Sequence, residues 1–454
     1  MESDVRIGLI PVLDPRIDAE RVARILGPLR LREKLEELGV TPIVSEPVAV
    51  EEDAVREALR LRDSGASGII YYTGWFLRSN VIAGACQHSQ LPALVWAIPS
   101  MDNAAVVGFG VTHGALAEVG VAHEAICDSW NENARRKMLA WARACHARRE
   151  LRGSRYGQIG GRCLSMMPAD ADANQWRWQF GIDVDHAEQW TLIQEARQVP
   201  DEAVALLVSA WKKEFAVVDV SDEVLARSAR LYLAGREMFT RNRWDFAGIK
   251  CQFELIDNYL APCLPIALWN DDGYVVACES DMNAALTMFA LHKMGSGPVM
   301  FSDIQYVDME RKFARFLNCG TGATRLGGGR GRVELKDCPE VQGTLDEKTG
   351  KHLCQGGACT HWLLLPGKVT LARFGRIQGR YVLHVATGES FAYPHNREDM
   401  GGIGGVWPWA YVRPEQDMER FVQCLRAHHI CIVPGEWEPE LRALARLWGV
   451  EVLA

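Results

Sequence analysis

The stretch YVVACESD at residues 274–281, a helical pattern over Met282–Leu291, and PVMFSD at residues 298–303 decide the fold class. Tyr274–Cys278 is an uninterrupted apolar run of strand length, and Glu279 follows it directly. Pro298–Phe301 is a second strand pattern, and Asp303 follows it after one serine. Short continuous apolar runs read as strands buried on both faces, which is how parallel sheets are built. Both acids therefore sit at carboxyl ends of strands, where open α/β sheets gather their ligands. Their 24-residue separation fits one crossover helix. Two carboxylates brought together there offer hard oxygen donors to a divalent cation. Helix capping or a solvent-facing turn is the other reading of each acid on spacing alone.

The same punctuation extends upstream. Val5–Leu13 is a strand stopped by Asp14-Pro15. Gly27-Pro28 interrupts the helical periodicity that follows, which predicts one short helix over Ile17–Leu26 and another with Leu31, Leu35 and Leu38 inward. Thr41–Val44, Gly68–Tyr72 and Ala93–Ile98 read as further strands, and Glu51–Asp63 as a helix. Cys127–Arg152 is a charged helix leading out of this first region. A second strand and helix series runs over residues 155–325, with Ile159-Gly160-Gly161 near its start and regular helices over Pro200–Phe215 and Ser221–Asn242. Glycines crowd the chain after Asn318 without the Lys-Ser/Thr ending of a phosphate loop, which predicts a flexible or tightly turned connection. Thr360–Leu365, Lys368–Arg373 and Arg380–Ala386 then alternate as antiparallel strands, with Lys368 and Arg373 read as surface residues. The expected fold is α/β: N-terminal and central Rossmann-like α/β domains with a mainly β C-terminal domain, over residues 1–154, 155–329 and 330–454.

Composition narrows the function classes. Among 454 residues, 58 acids against 50 bases give a net charge of -8, which offers phosphate backbones no general attraction. The basic helix lacks the aromatic platforms of a strand binder, so no nucleic-acid partner is expected. Met1-Glu2-Ser3-Asp4 does not begin a basic and apolar leader. Ile7–Leu13 is too short to span a membrane, and Asn80, Gln87, His88, Gln90 and Pro92 break the uncharged Ser79–Met101 segment. No membrane association and a cytoplasmic location are therefore expected. Thirteen scattered cysteines form no disulfide framework, and Cys354, Cys359 and His361 miss the usual zinc spacing. His428-His429, after a helical Gln416–Ala427, offers an imidazole that would complete a carboxylate site for manganese, iron or cobalt. Adjacent residues usually point differently, so both histidines need not serve one ion. The fifteen tryptophans read first as core.

Cys278-Glu279-Ser280-Asp281 with Asp303, the motif Val369-Thr370-Leu371-Ala372-Arg373, and Ala427-His428-His429 together resemble the L-fucose isomerase and L-arabinose isomerase superfamily. Asp303, where the arabinose branch typically has glutamate, makes the chain look nearer the fucose branch. The resemblance implies that Glu279 and Asp303 bind a divalent metal, most simply Mn2+ with Mg2+ or Co2+ as alternatives, and do the acid and base work. It implies His429 as third ligand, with His428 as the alternative. It makes His113, Lys250, Gln252 and His361 substrate-pocket residues. The implied reaction is aldose–ketose exchange on a pentose or 6-deoxyhexose of L-fucose, D-arabinose or L-arabinose type, through a cis-ene-diol. The implied assembly is a homotrimer or homohexamer with His113 beside a neighbouring chain. A non-catalytic sugar-binding protein and a metal-dependent sugar epimerase or lyase are the competing readings.

Overall fold

In this computed structural model, which describes residues 4–338, 344–394 and 405–453, the N-terminal apolar runs become parallel strands. Met1-Glu2-Ser3, read above for a leader, lies outside the described residues. Strands β1 (Arg6–Val12), β2 (Thr41–Val44), β3 (Ile69–Thr73), β4 (Ala93–Ala97) and β5 (His123–Cys127) form one sheet in the order β2-β1-β3-β4-β5. This is a doubly wound order, and β3 and β4 are buried along their whole length because helices cover both faces. One face packs on Ala54, Ala58, Leu61, Val81, Ile82 and Leu116, the other on Leu31, Leu35, Met138 and Trp141. Helices Ser79–Ser89 and Ala105–Glu118 have no counterpart in the sequence reading. The first is buried around most of its circumference, so it carries no amphipathic stripe to find. Among the described residues no helix is long and apolar enough to cross a membrane.

The chain divides into two compact units, Met1–Glu150 with Pro439–Gly449, and Leu151–Glu438 with Val450–Ala454. The second unit opens on another parallel sheet. Its strands β6 (Arg155–Ile159), β7 (Asp183–Ala187), β9 (Phe246–Ile249) and β10 (Val275–Cys278) run in the order β10-β9-β6-β7. The chain reverses direction of travel between β6 and β9, and sheets of this kind place their ligands in the crevice beyond the carboxyl ends at such a reversal. Gly248 lets β9 lie close to the turn after β10: a Cβ there would meet the Tyr156 hydroxyl at 2.1 Å and Ser280 Cα at 3.3 Å.

The remaining strands are β8 (Val217–Asp219), β11 (Met300–Asp308), β12 (Phe313–Leu317), β13 (Glu334–Asp337), β14 (Leu345–Asp346), β15 (Lys351–His352), β16 (Ala358–His361), β17 (Gly367–Ile377), β18 (Arg380–Ser390), β19 (Trp409–Pro414), β20 (His429–Pro434) and β21 (Glu451–Leu453). The order β17-β20-β11-β12-β19-β18 closes on itself because β18 also pairs with β17. The result is a six-stranded antiparallel barrel, with β21 added parallel to β18. Closure removes the exposed strand edges that such a sheet otherwise presents. The α/β, α/β and β-rich fold class follows as expected. One strand changes partners, however: β11 leaves the parallel sheet and joins the barrel. Gly295 and Gly297, both at positive φ, end the helix Met282–Lys293 and turn the chain away before Pro298. Of the two readings of the connection after Asn318, flexible or tightly turned, the structure has the second, with Gly322 and Gly327 packed so closely on Trp362 that a Cβ at either would sit 2.5 Å from its ring or Cβ.

Candidate metal centre

Glu279 is placed by a strained turn. It and Ser280 have φ of 57° and 53°, a left-handed conformation that costs a residue other than glycine about 1–3 kcal/mol. The turn is held by Ser280 N–H donating to Ile249 O at 3.0 Å and Asp281 N–H donating to Cys278 O at 3.2 Å. Gln158 Nε2 adds a bond of 3.1 Å to Ser280 Oγ. Asp281 then caps the helix Met282–Lys293 by accepting from Ala284 N–H at 2.8 Å. Such strain gathers where the surroundings must hold a side chain in one place. Here it turns the Glu279 carboxylate into a buried position.

His429 and Asp303 meet through the barrel. They are directly opposite each other in the antiparallel pairing of β20 with β11. His429 Nε2 lies 3.4 Å from Asp303 Oδ1 and 3.6 Å from Glu279 Oε2. Its Nδ1 lies 2.8 Å from Asp281 Oδ2, and Arg373 Nη2 lies 2.9 Å from the same oxygen. His428 precedes β20, is 51% exposed, and brings its Nε2 to 3.5 Å from Asp303 Oδ1. Donor atoms of Glu279, His428 and His429 all lie within 4.8 Å of one another, so both histidines reach the cluster.

The electrostatics fit a divalent cation. Burial alone would raise the Asp281 pKa, but Arg373 and the bond from His429 outweigh it and hold the carboxyl below its ordinary range. An ionised Asp281 accepts from Nδ1–H and thereby fixes the tautomer with the Nε2 lone pair free. That Nε2 is buried and has no hydrogen-bond partner. Glu279, Asp281 and Asp303 set three carboxylates against the one guanidinium of Arg373, leaving the charge of one divalent ion to be balanced. In the metal-free cluster a proton does part of that work. Burial lowers the His429 pKa, but the bond to Asp281 and the negative charges of Asp303 and Glu279 outweigh it and lift it to about 10. Burial raises Glu279 to about 7, against the opposing charge of His429. Burial, and then the charge of His429, push His428 down. Divalent metal capacity is thus a property of the site itself.

A divalent cation would compete with these protons, because imidazole and carboxylate bind metal in their deprotonated forms. Since both shifts are upward, affinity should rise with pH, through about 7 as Glu279 ionises and on toward about 10 as His429 does. Calorimetric titration in buffers of different ionisation enthalpy should show net proton release at neutral pH. Affinity independent of pH over that window would contradict the ligand set.

The other residues singled out in the sequence lie as follows. Lys250 and Gln252 follow β9 at the crevice; Lys250 pairs with Glu254 at 2.7 Å, and Gln252 is partly buried. His361 ends β16 with Nδ1 3.3 Å from Trp407 O. His113 belongs to the other compact unit, where Nδ1 lies 2.8 Å from His123 Nε2. Two residues were missed. Arg373 is not a surface residue: it is 2% exposed, on a barrel strand whose neighbours are also buried. Lys368, on the same strand, is exposed and pairs with Glu415. Asp281 was present in the quoted motif without a role. Its position between an apolar strand and a helix was the available signal, since a capping acid there lies beside the strand end.

A family model described as "L-fucose isomerase, C-terminal domain" matches residues 316–454, the portion that includes most of the barrel. A sulfoquinovose isomerase of Alkalicoccus urumqiensis is 23% identical over 402 residues, covering 86% of each chain. A second, of Priestia aryabhattai, is 19% identical over 57% of this chain and 60% of that protein. A third, of Clostridium sp. (strain MSTE9), is 24% identical over 56% of this chain and 54% of that protein. A periplasmic solute binding protein from Actinobacillus succinogenes with bound D-allose aligns at 10% identity and a TM-score of 0.18, over 64% of this chain and 91% of that one, which carries no argument. The C-terminal portion is thus similar to the C-terminal domain of L-fucose isomerase, and most of the chain is similar to a sulfoquinovose isomerase.

Proposed function

We propose that the chain is a metal-dependent aldose–ketose isomerase in which Glu279, Asp303 and His429 hold the ion, with His428 as a further or alternative donor. The observation that carries this is the buried His429 Nε2, without a hydrogen-bond partner and 3.4 and 3.6 Å from two carboxylates. A divalent cation there, Mn2+ by preference with Mg2+ or Co2+ as alternatives, supplies the charge that polarises a sugar carbonyl and steadies the anion developing on adjacent oxygens. Glu279 follows a strand of the parallel sheet and Asp303 lies on a barrel strand, and both carboxylates come within 3.6 Å of His429 Nε2. One takes the C2 proton and returns it at C1 through the cis-ene-diol, while the other manages the hydroxyl proton. The barrel and the turn at residues 279–281 keep the pair fixed while the substrate carbon changes geometry. Lys250 and Gln252 at the crevice, His361, and His113 of a neighbouring copy line the sugar in this reading. A homotrimer or homohexamer in the cytoplasm belongs to the same proposal.

Asp303 supports a pentose or 6-deoxyhexose of the fucose-branch kind, whereas the relatives' names add sulfoquinovose to the candidates. A panel of L-fucose, D-arabinose, L-arabinose and sulfoquinovose, offered to metal-stripped protein with and without Mn2+, should show one aldose converted to its ketose in the metal-loaded sample alone, read by chromatography. Sugar bound without exchange would favour a binding protein instead. An epimeric aldose as the product, in place of a ketose, would favour an epimerase.

A further inference from the structure

The segment that follows β6 runs from Gly160 to Asp170 at the ligand crevice, and its backbone is unusual. Leu164 and Ser165 are consecutive residues at positive φ, 47° and 55°, neither of them glycine. A strained pair persists only where its surroundings hold it. Holding comes from three side chains on other elements. Asn283 Nδ2 donates to Pro168 O at 2.8 Å and to Asp170 O at 3.2 Å. Arg376 Nη2 donates to Asp170 O at 2.8 Å. Arg373 Nη2 donates to Pro168 O at 3.1 Å. The same Nη2 also pairs with Asp281, the residue that orients His429. Arg373 Nε and Nη1 are buried without partners, so the hydrogen bonds of this guanidinium converge on Asp281 and Pro168 O.

We infer that Arg373 is a positioning residue that ties metal loading to the order of the 160–170 segment. One nitrogen serves both the carboxylate behind His429 and the carbonyl that anchors the crevice wall. Anything that draws His429 and Asp281 into register, as a cation on Nε2 does, also sets the guanidinium and hence Pro168. Conversely, an ordered segment keeps Arg373 on Asp281 and His429 in its metal-ready orientation. Partners of a metal-bound histidine commonly change affinity by about 10–100-fold when removed. This inference rests on the metal-centre reading above but not on the identity of the sugar.

The test uses Mn2+ alone on the full chain, with calorimetry for affinity and amide hydrogen exchange for the segment. Adding Mn2+ to the wild-type protein should slow exchange over Cys163–Met167. Arg373→Met should weaken Mn2+ binding about 10–100-fold and abolish that slowing. Asn283→Ala, which removes an anchor without touching Asp281, should speed exchange in the segment more than it weakens Mn2+ binding. An Arg373→Met protein that binds Mn2+ as the wild type does, or wild-type exchange indifferent to Mn2+, would overturn the inference. If Arg373→Met does not fold, the wild-type and Asn283→Ala measurements decide. Failure of the wild-type protein to take up Mn2+ would overturn this inference together with the metal centre. Uptake without any sugar exchange would count against the isomerase reading alone.

Discussion

Glu279→Gln should abolish metal-dependent sugar exchange while making the metal-free protein more stable. The amide keeps the shape of the carboxylate but removes its charge and its basicity. A general acid or base is typically worth about 10²–10⁴-fold, and the loss of a ligand adds to that. The stability effect has the opposite sign. Glu279 is buried beside two other carboxylates, and its pKa is raised to about 7 from an ordinary 4.5. The folded protein therefore binds a proton more tightly than the unfolded chain. Its contribution to stability is present below about pH 4.5 and is lost as pH rises through about 7. At pH 8 the wild type carries the full cost of that buried charge. Glutamine does not, and should be more stable by about 1–3 kcal/mol after the lost attraction to His429 is counted. Thermal unfolding of both proteins without metal at pH 5 and pH 8 would check it. A variant less stable than the wild type at pH 8 would show that Glu279 is a structural ion-pair member.

Asp281→Ala should be the most destabilising single change in the second unit. It leaves Arg373 buried without a counter-charge, takes the acceptor from His429 Nδ1, and uncaps the helix Met282–Lys293. Removing one partner of a buried ion pair costs about 3–5 kcal/mol, and a lost cap about 1 kcal/mol more. Against a typical total of about 5–15 kcal/mol, that is enough to leave the unit largely unfolded at moderate temperature. The double variant Asp281→Ala/Arg373→Met should recover part of the loss, because the stranded charge is gone. Denaturant unfolding of the singles and the double measures the coupling. A double variant no more stable than Asp281→Ala would mean that the damage comes from the cap and the histidine.

Why the acids Glu279 and Asp303 could be singled out in the sequence while the groups around them could not is a matter of range. Glu279 stands out because an acid directly after a four-residue apolar strand is a local pattern, and the crevice rule gives that pattern a meaning. Asp303 stands out for the same reason, although its strand belongs to the barrel. What unites the two acids is the cross-strand pairing of Asp303 with His429, between residues 126 apart, and no local periodicity encodes it. Arg373 was misread because alternation assigns a strand residue to a face, while the partner that makes burial of a cation tolerable is 92 residues away. Helix Ser79–Ser89 was passed over for the opposite reason, since burial on nearly all sides erases the polar stripe that marks an ordinary helix. The resemblance to sugar isomerases supplied the chemistry that neither spacing nor burial carries.

The proposed chemistry requires one divalent ion among Glu279, Asp303 and His429. Anomalous diffraction from crystals soaked in Mn2+, recorded on both sides of the manganese absorption edge, tests that directly. The predicted result is a single strong peak within bonding distance of His429 Nε2 and of carboxylate oxygens from Glu279 and Asp303, absent in Glu279→Gln. A fully occupied peak elsewhere, or none at this cluster in a crystal that has taken up Mn2+, would contradict the account.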